Sequence, residues 1–305
     1  MKFYVKSDLQ QLVFLIVLYT STIHINKFIL SILGFTYPTV FQGWQTLVAV
    51  ILMRVLLFEE LSPICWTSFF ANLPLFLCFV GNIVAGSKAL SSLPAPIVIA
   101  LSNVVPALIH AVSNPRADEK NYINFTASLF ALFSAICIFL MDPILSENGI
   151  PTMWMVFHLL FLGAQGLVEK RTSSSLNSLD KLFYCNLFSV VVLAPSSLYL
   201  EEAFSALNFH ERRQLSFLLG CVMSGILGTV MSLMTVYSVP TSLNTIAISR
   251  AVSCIISPYI LPCTLNTSTW FFVVLSLVAV SVIKMDNSPP LNVIDCSNQK
   301  QIEIV

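Results

Sequence analysis

Long apolar runs separated by brief polar punctuation fill most of the chain. Runs of about twenty residues lie near 9–33, 38–58, 64–87, 90–113, 122–142, 151–169, 181–200, 214–238, 241–262 and 266–285. A hydrocarbon core of about 30 Å is crossed by about 20 helical residues, so each run predicts one spanning helix. The links between them carry turn-formers and charge, as in Tyr37-Pro38, Glu59-Glu60, Asn114-Pro115-Arg116, Ser146-Glu147-Asn148-Gly149 and Thr172-Ser173-Ser174-Ser175. The expectation is an all-α membrane protein of ten transmembrane helices. Residues 287–305 are polar and predict a flexible tail.

Composition agrees with the pattern. The 305 residues are 56% hydrophobic and 10% charged, with mean hydropathy +0.85. A soluble domain carries about a quarter charged residues. The net charge of zero argues against nucleic acid as a partner. Eight cysteines stand singly at 65, 78, 137, 185, 221, 254, 263 and 296, with no CxxC, and read as free thiols in place of a metal site or disulfide framework. The first residues lack a small-residue cleavage site, so the first apolar run is expected to stay as a span. Lysine and arginine set the orientation. With both termini cytosolic, that face receives Lys2, Lys6, Arg54, Arg116, Lys120, Lys170, Arg171, Lys181, Lys284 and Lys300. The opposite face receives Lys88, Arg212 and Arg213.

The chain also repeats itself. Ile99-Ala-Leu-Ser-Asn-Val-Val105 matches Ile246-Ala-Ile-Ser-Arg-Ala-Val252, and a Ser-x-Pro precedes each (Ser92 to Pro94, Ser238 to Pro240). These segments belong to the fourth and ninth runs, five helices apart, so equivalent helices insert in opposite senses. That is the signature of inverted-repeat transporters, with a substrate site near the midplane between halves. The halves are expected at 1–147 and 148–286.

Charge inside a span is costly and needs a reason. Arg250 lies mid-span, and its repeat counterpart is Asn103. Thr20, His24, Lys27 and Ser31 form one stripe of the first helix at ideal spacing. Ser242, Thr245, Ser249, Arg250, Ser253 and Ser257 share an arc of the ninth, as a ligand-lining or a helix-packing face would. All fifteen Asp and Glu fall in links, tails or span ends. Buried cations without acidic partners call for an anionic ligand, a phosphate or diphosphate first. His24, His110 and His158 are titratable and read first as satisfied polar groups, although His24 lies on the Lys27 stripe and stays among the ligand candidates. No metal cluster or catalytic dyad stands out, and neither an enzyme nor a cofactor is expected.

Phe183-Tyr184-Cys185-Asn186 opens the seventh run, Thr241-Ser242-Leu243-Asn244-Thr245 opens the ninth after Tyr237-Ser238-Val239-Pro240, and Asn26-Lys27 lies in the first. In these segments the chain resembles the nucleotide-sugar transporters of the drug/metabolite transporter superfamily, especially the GDP-mannose transporters of the Golgi. Their motifs are Phe-Tyr-Asn-Asn and Gly-Ala-Leu-Asn-Lys. The resemblance implies ten helices in two inverted five-helix repeats, a Golgi membrane (alternatively the endoplasmic reticulum), and exchange of a nucleotide sugar for a nucleoside monophosphate. It also implies that Phe183, Tyr184 and Asn186 face the nucleobase, with Tyr237, Ser242, Leu243, Asn244 and Thr245 beside ribose, phosphates or sugar. Two departures matter: Cys185 replaces an asparagine, and Thr245 replaces a lysine whose charge Arg250 or Lys27 could supply. The loss of one base-reading amide turns the expectation from GDP-mannose toward a UDP-sugar, UDP-N-acetylglucosamine first. An exchanger of another phosphorylated metabolite and a non-transporting membrane scaffold stay open beside it. The remaining expected partners are membrane lipid and, as an open arrangement, a second copy of the chain.

Overall fold

The computed structural model describes residues 8–63, 65–113, 119–147, 149–171, 176–237, 242–261, 263 and 265–283. Among them every regular element is helical. In chain order these are α1 (Asp8–Lys27), extended by a π-helical turn (Phe28–Ile32), α2 (Pro38–Leu56), α3 (Trp66–Ala71), α4 (Leu73–Ser92), α5 (Ala95–Ser113), α6 (Glu119–Met141), α7 (Pro143–Glu147), α8 (Gly149–Arg171), α9 (Ser178–Tyr199), α10 (Glu202–Leu207), a 3-10 turn (His210–Arg213), α11 (Leu215–Tyr237), α12 (Ser242–Ile260) and α13 (Thr267–Val282).

Seven helical segments are long and apolar enough to cross a membrane: Leu12–Ile32, Pro38–Leu56, Leu73–Ser92, Tyr122–Met141, Gly149–Glu169, Ser178–Tyr199 and Leu215–Tyr237. Three further apolar segments are shorter, at Ala95–Ile109, Ala247–Ile260 and Thr267–Val282. The whole helices α5 and α12 run to 19 residues each, the length of α2, and only α13 is short. The 16 residues of α13 reach about 24 Å at 1.5 Å per residue, less than a hydrocarbon core.

The third run is also displaced. Asn72 closes the short α3 by donating from Nδ2 to the Ser68 carbonyl at 2.8 Å. A new helix begins at Leu73, with Pro74 in its first turn, where a missing N–H costs nothing. The span therefore runs to Ser92, beyond the expected end at 87. Behind the π turn the chain reverses at Gly34, whose φ of +70° is one that side chains resist.

The outer surface is apolar, with Leu140 73% and Val55 72% exposed, as a lipid-facing surface requires. The centre belongs to α5, where Ile97, Ile99, Ala100, Leu101, Asn103 and Ala107 are all buried. A helix apolar around its whole circumference seeks such a place. Small residues let neighbours close in. A Cβ on Gly225 would lie 3.0 Å from Val48 Cβ, and one on Gly166 would lie 2.5 Å from Ile109 Cδ1, whereas Gly228 has open space.

Contacts at opposite ends of the helices define two ends of the bundle. At one, the segment after α2 is tied to α9 and α11: Ser62 N–H donates to Asp180 Oδ1 at 3.0 Å, Cys65 N–H to the Tyr184 hydroxyl at 3.2 Å, and the Tyr237 hydroxyl to Glu60 Oε2 at 2.5 Å. At the other, Glu202 on α10 accepts from the Thr39 amide at 3.0 Å and from the Thr39 hydroxyl, at the start of α2. Its second oxygen lies 3.9 Å from Lys88 Nζ.

Candidate functional site

Between α1, α5 and α12 the bundle carries a charge at Arg250. This residue lies on α12, and its Nη1 donates to Asn103 Oδ1 on α5 at 2.7 Å. The guanidinium carbon stands 5.8 Å from the centre of the Tyr19 ring on α1, within the range in which a cation is attracted to an aromatic face. Arg250 Nε is buried and has no hydrogen-bond partner among the described residues. A cation met only by a neutral amide and a ring keeps its full positive charge, so an anion that reaches it gains a strong charge-assisted contact.

Helix α1 packs against α12 and carries Thr20, His24 and Lys27 of the polar stripe expected from the sequence. His24 is buried; its Nδ1 donates to the Thr20 carbonyl at 2.7 Å, and its Nε2 has no partner among the described residues. Thr20 Oγ1 and Ser253 Oγ share that condition. Lys27 behaves differently. Its ammonium donates to the carbonyls of Leu90 at 2.8 Å, Leu93 at 2.8 Å and Ser91 at 3.4 Å. It therefore caps the end of α4, where carbonyls have no intrahelical partner and the helix dipole favours a cation.

Phe183 and Tyr184 lie elsewhere, in an apolar cluster with Met53, Leu75, Phe76 and Leu233. Tyr184 packs against Phe69 and Phe76 at ring separations of 6.0 and 6.2 Å, and its hydroxyl accepts from Cys65. Asn186 is buried, and its Nδ2 donates to the Leu182 carbonyl at 2.8 Å. Tyr237 reaches Glu60 at the same end of the bundle. The backbone of Ser242, Asn244 and Thr245 opens α12; the side chains of these three, and of Leu243, fall outside the described residues. The structure thus unites Arg250 with Asn103, sets His24 and Lys27 along one helix, and gathers Phe183, Tyr184 and Tyr237 toward one end.

Several interior polar residues escaped sequence reasoning. Gln45 donates to Asn26 Oδ1 at 3.0 Å and to Ser224, which itself donates to Asn26 at 2.7 Å. Gln42 donates to Ser87, and Asn82 donates to Gln165 Oε1 at 3.2 Å. His158, read from the sequence as a satisfied polar group, bridges Ser102 at 3.1 Å and the Asn82 carbonyl at 3.2 Å. Uncharged amides within apolar runs were the available signal, since such groups must find partners in a bundle interior.

No family model matches the chain. Curated relatives do. A UDP-N-acetylglucosamine transporter homolog from Xenopus laevis is 36% identical over 228 residues, 72% of this chain and 75% of its own. A UDP-N-acetylglucosamine transporter from Mus musculus is 34% identical over 216 residues, 69% of this chain and 72% of its own. The chain belongs to the nucleotide-sugar transporter family. A GDP-mannose transporter from Arabidopsis thaliana is 26% identical over 258 residues, 76% of each chain. For a nucleotide-sugar transporter, a cation held by neutral groups between α1, α5 and α12 is suited to an anionic solute. The resemblance carried by Phe183-Tyr184-Cys185-Asn186 and by the start of α12 pointed to this family.

Proposed function

We propose that the chain is an antiporter that carries UDP-N-acetylglucosamine from the cytosol into the Golgi lumen in exchange for a nucleoside monophosphate. Two relatives at 34% and 36% identity bear that substrate's name, against 26% for the relative named for GDP-mannose. Cys185, in place of a base-reading amide, leans the same way. The observation that carries the anionic substrate is Arg250, part-buried and met by uncharged groups of Asn103 and Tyr19.

The architecture proposed is ten spans in two inverted halves, 1–147 and 148–286, with 287–305 as a cytosolic tail and both termini on that side. Helix packing supports it. Exchange α1, α2, α4, α5 and α6 with α8, α9, α11, α12 and α13, and the contact of α4 with α8 becomes that of α11 with α1. Likewise α1 with α12 becomes α8 with α5, and α2 with α11 becomes α9 with α4; all six contacts are made. The pairs α2–α9, α5–α12 and α6–α13 map onto themselves and also touch.

In this reading Arg250 and Asn103 receive the phosphates, with His24 and Lys27 along the same face. Phe183, Tyr184 and Asn186 serve the base, and Tyr237, Ser242, Asn244 and Thr245 the ribose and sugar. Rocking of the halves opens one end at a time. Opening the cytosolic end breaks the ties of the 57–65 segment and frees the Tyr184 hydroxyl; opening the lumenal end breaks Glu202 from Thr39. A ligand that binds the folded protein raises its unfolding temperature. Purified protein is therefore expected to be stabilised by UMP and UDP-N-acetylglucosamine and less by GMP and GDP-mannose. A stronger shift with the guanine pair would move the reading to GDP-mannose.

A further inference from the structure

His158, on α8, sits in a notch that only a glycine leaves open. A Cβ on Gly86 of α4 would lie 2.8 Å from its Nδ1. Both ring nitrogens are engaged, and their partners allow a proton inventory. Nδ1 lies 3.2 Å from the Asn82 carbonyl, which can only accept, so Nδ1 carries hydrogen. Nε2 lies 3.1 Å from Ser102 Oγ, whose own proton goes to the Val98 carbonyl at 2.6 Å. With the hydroxyl turned that way, Nε2 must also donate, and the ring is an imidazolium. For a neutral ring the Ser102 hydroxyl turns from Val98 to Nε2. One serine rotor thus accommodates both protonation states without moving the helices.

Next in the chain to Ser102 is Asn103, which holds Arg250. Other charges are distant or occupied. On α4, residues 82–87 carry none, and Lys88 is held between Glu202 and the Trp154 ring. On α5, residues 95–109 carry none, nor do residues 149–168 of α8. Glu147 on α7 is exposed at the bundle end. Two cations in one apolar interior repel, and an anion between them removes the repulsion. We propose that His158 is a proton-binding site whose occupancy is linked to anion occupancy at Arg250, so that the protein takes up a proton as its anionic solute binds. The proton comes from the aqueous side that admits the solute and leaves with the anion. This inference rests on the nucleotide-sugar reading.

The test is calorimetric binding of UDP-N-acetylglucosamine to the purified full-length protein between about pH 6 and about pH 8, a range in which imidazole titrates and a diphosphate diester does not. The expected affinity is roughly five- to tenfold tighter at the acid end, because linkage is reciprocal. Binding heats in two buffers of different ionisation enthalpy should report net proton uptake by the complex. His158→Gln should bind with no pH dependence and no buffer-dependent heat. Ser102→Ala, which removes the acceptor for Nε2, should move the transition to lower pH. Overturning results are a pH-independent wild-type affinity, or a His158→Gln protein that keeps the wild-type slope and proton uptake. If that variant does not fold, the wild-type buffer comparison and Ser102→Ala decide by the same criteria. Absence of nucleotide-sugar binding at every pH removes the transport reading itself and this inference with it.

Discussion

Arg250 and Asn103 meet at 2.7 Å although 147 residues separate them, and 147 is also the offset between the two matching segments of the chain. Residues equivalent under an inverted repeat come into contact when they lie on its pseudo-two-fold axis. Under the proposed inverted repeat, the half that carries arginine presents it to the half that carries asparagine.

Replacing Asn103 separates structure from function at this contact. Asn103→Ala removes a charge-assisted hydrogen bond and should cost about 1.5–3 kcal/mol, read as a lowered unfolding temperature in detergent. Asn103→Asp supplies a fixed anion at the same place. It should keep the fold while reducing exchange at least tenfold, because the arginine is then neutralised from within. Normal exchange by Asn103→Asp would remove the argument that Arg250 awaits an anionic solute.

Lys27 should prove mainly a matter of stability. Its ammonium holds the carbonyls that end α4, and Lys27→Ala leaves them without that partner. A loss of about 1–2 kcal/mol is expected from lost helix-end stabilisation. The unfolding temperature should fall while the affinity for nucleotide sugar changes less than it does in Arg250→Ala. The reverse ranking would return Lys27 to the solute.

Two glycines on α11 give a paired packing test. Gly225→Ala drives a methyl against the branched Val48 side chain, which cannot swing away, and should cost about 1–3 kcal/mol. Gly228→Ala meets nothing within 4 Å and should be near neutral. Unfolding curves of the two variants measured side by side check this.

Cys65 reports the orientation of the membrane protein. It is exposed beside α3, and hydrogen bonds from Thr67 and from the Ser68 amide and hydroxyl lower its thiol to about 7. Below that pH the thiol is protonated and slow to react; alkylation should rise through about pH 7 and level off above it. Cys254 and Cys185 are buried and should stay unmodified. A membrane-impermeant maleimide should label Cys65 in sealed vesicles with the cytosolic face outward. Labelling only in vesicles of the opposite sense would reverse the topology.

How far the sequence could be read depended on how local each cause was. Seven long apolar helices followed from apolar length, and the Arg250–Asn103 contact had its signal in the cost of charge in a span and in the matching segments that pair the two positions. The break at Asn72 was hidden because Phe69, Phe70 and Leu73 continue the apolar run across it. The partners of Lys27 and Tyr184 come from segments 63 and 119 residues away, and no local pattern encodes such encounters. The polar pairs Gln42–Ser87 and Asn82–Gln165 were overlooked because single amides barely lower the hydropathy of a run.

Counterflow into proteoliposomes tests the central claim most directly. Liposomes bearing the purified chain and loaded with UMP should accumulate external UDP-N-acetylglucosamine faster than those loaded with GMP, and Arg250→Ala should abolish the difference. Uptake of nucleotide sugars no greater than in protein-free liposomes, with folded protein and with either nucleotide inside, would contradict it.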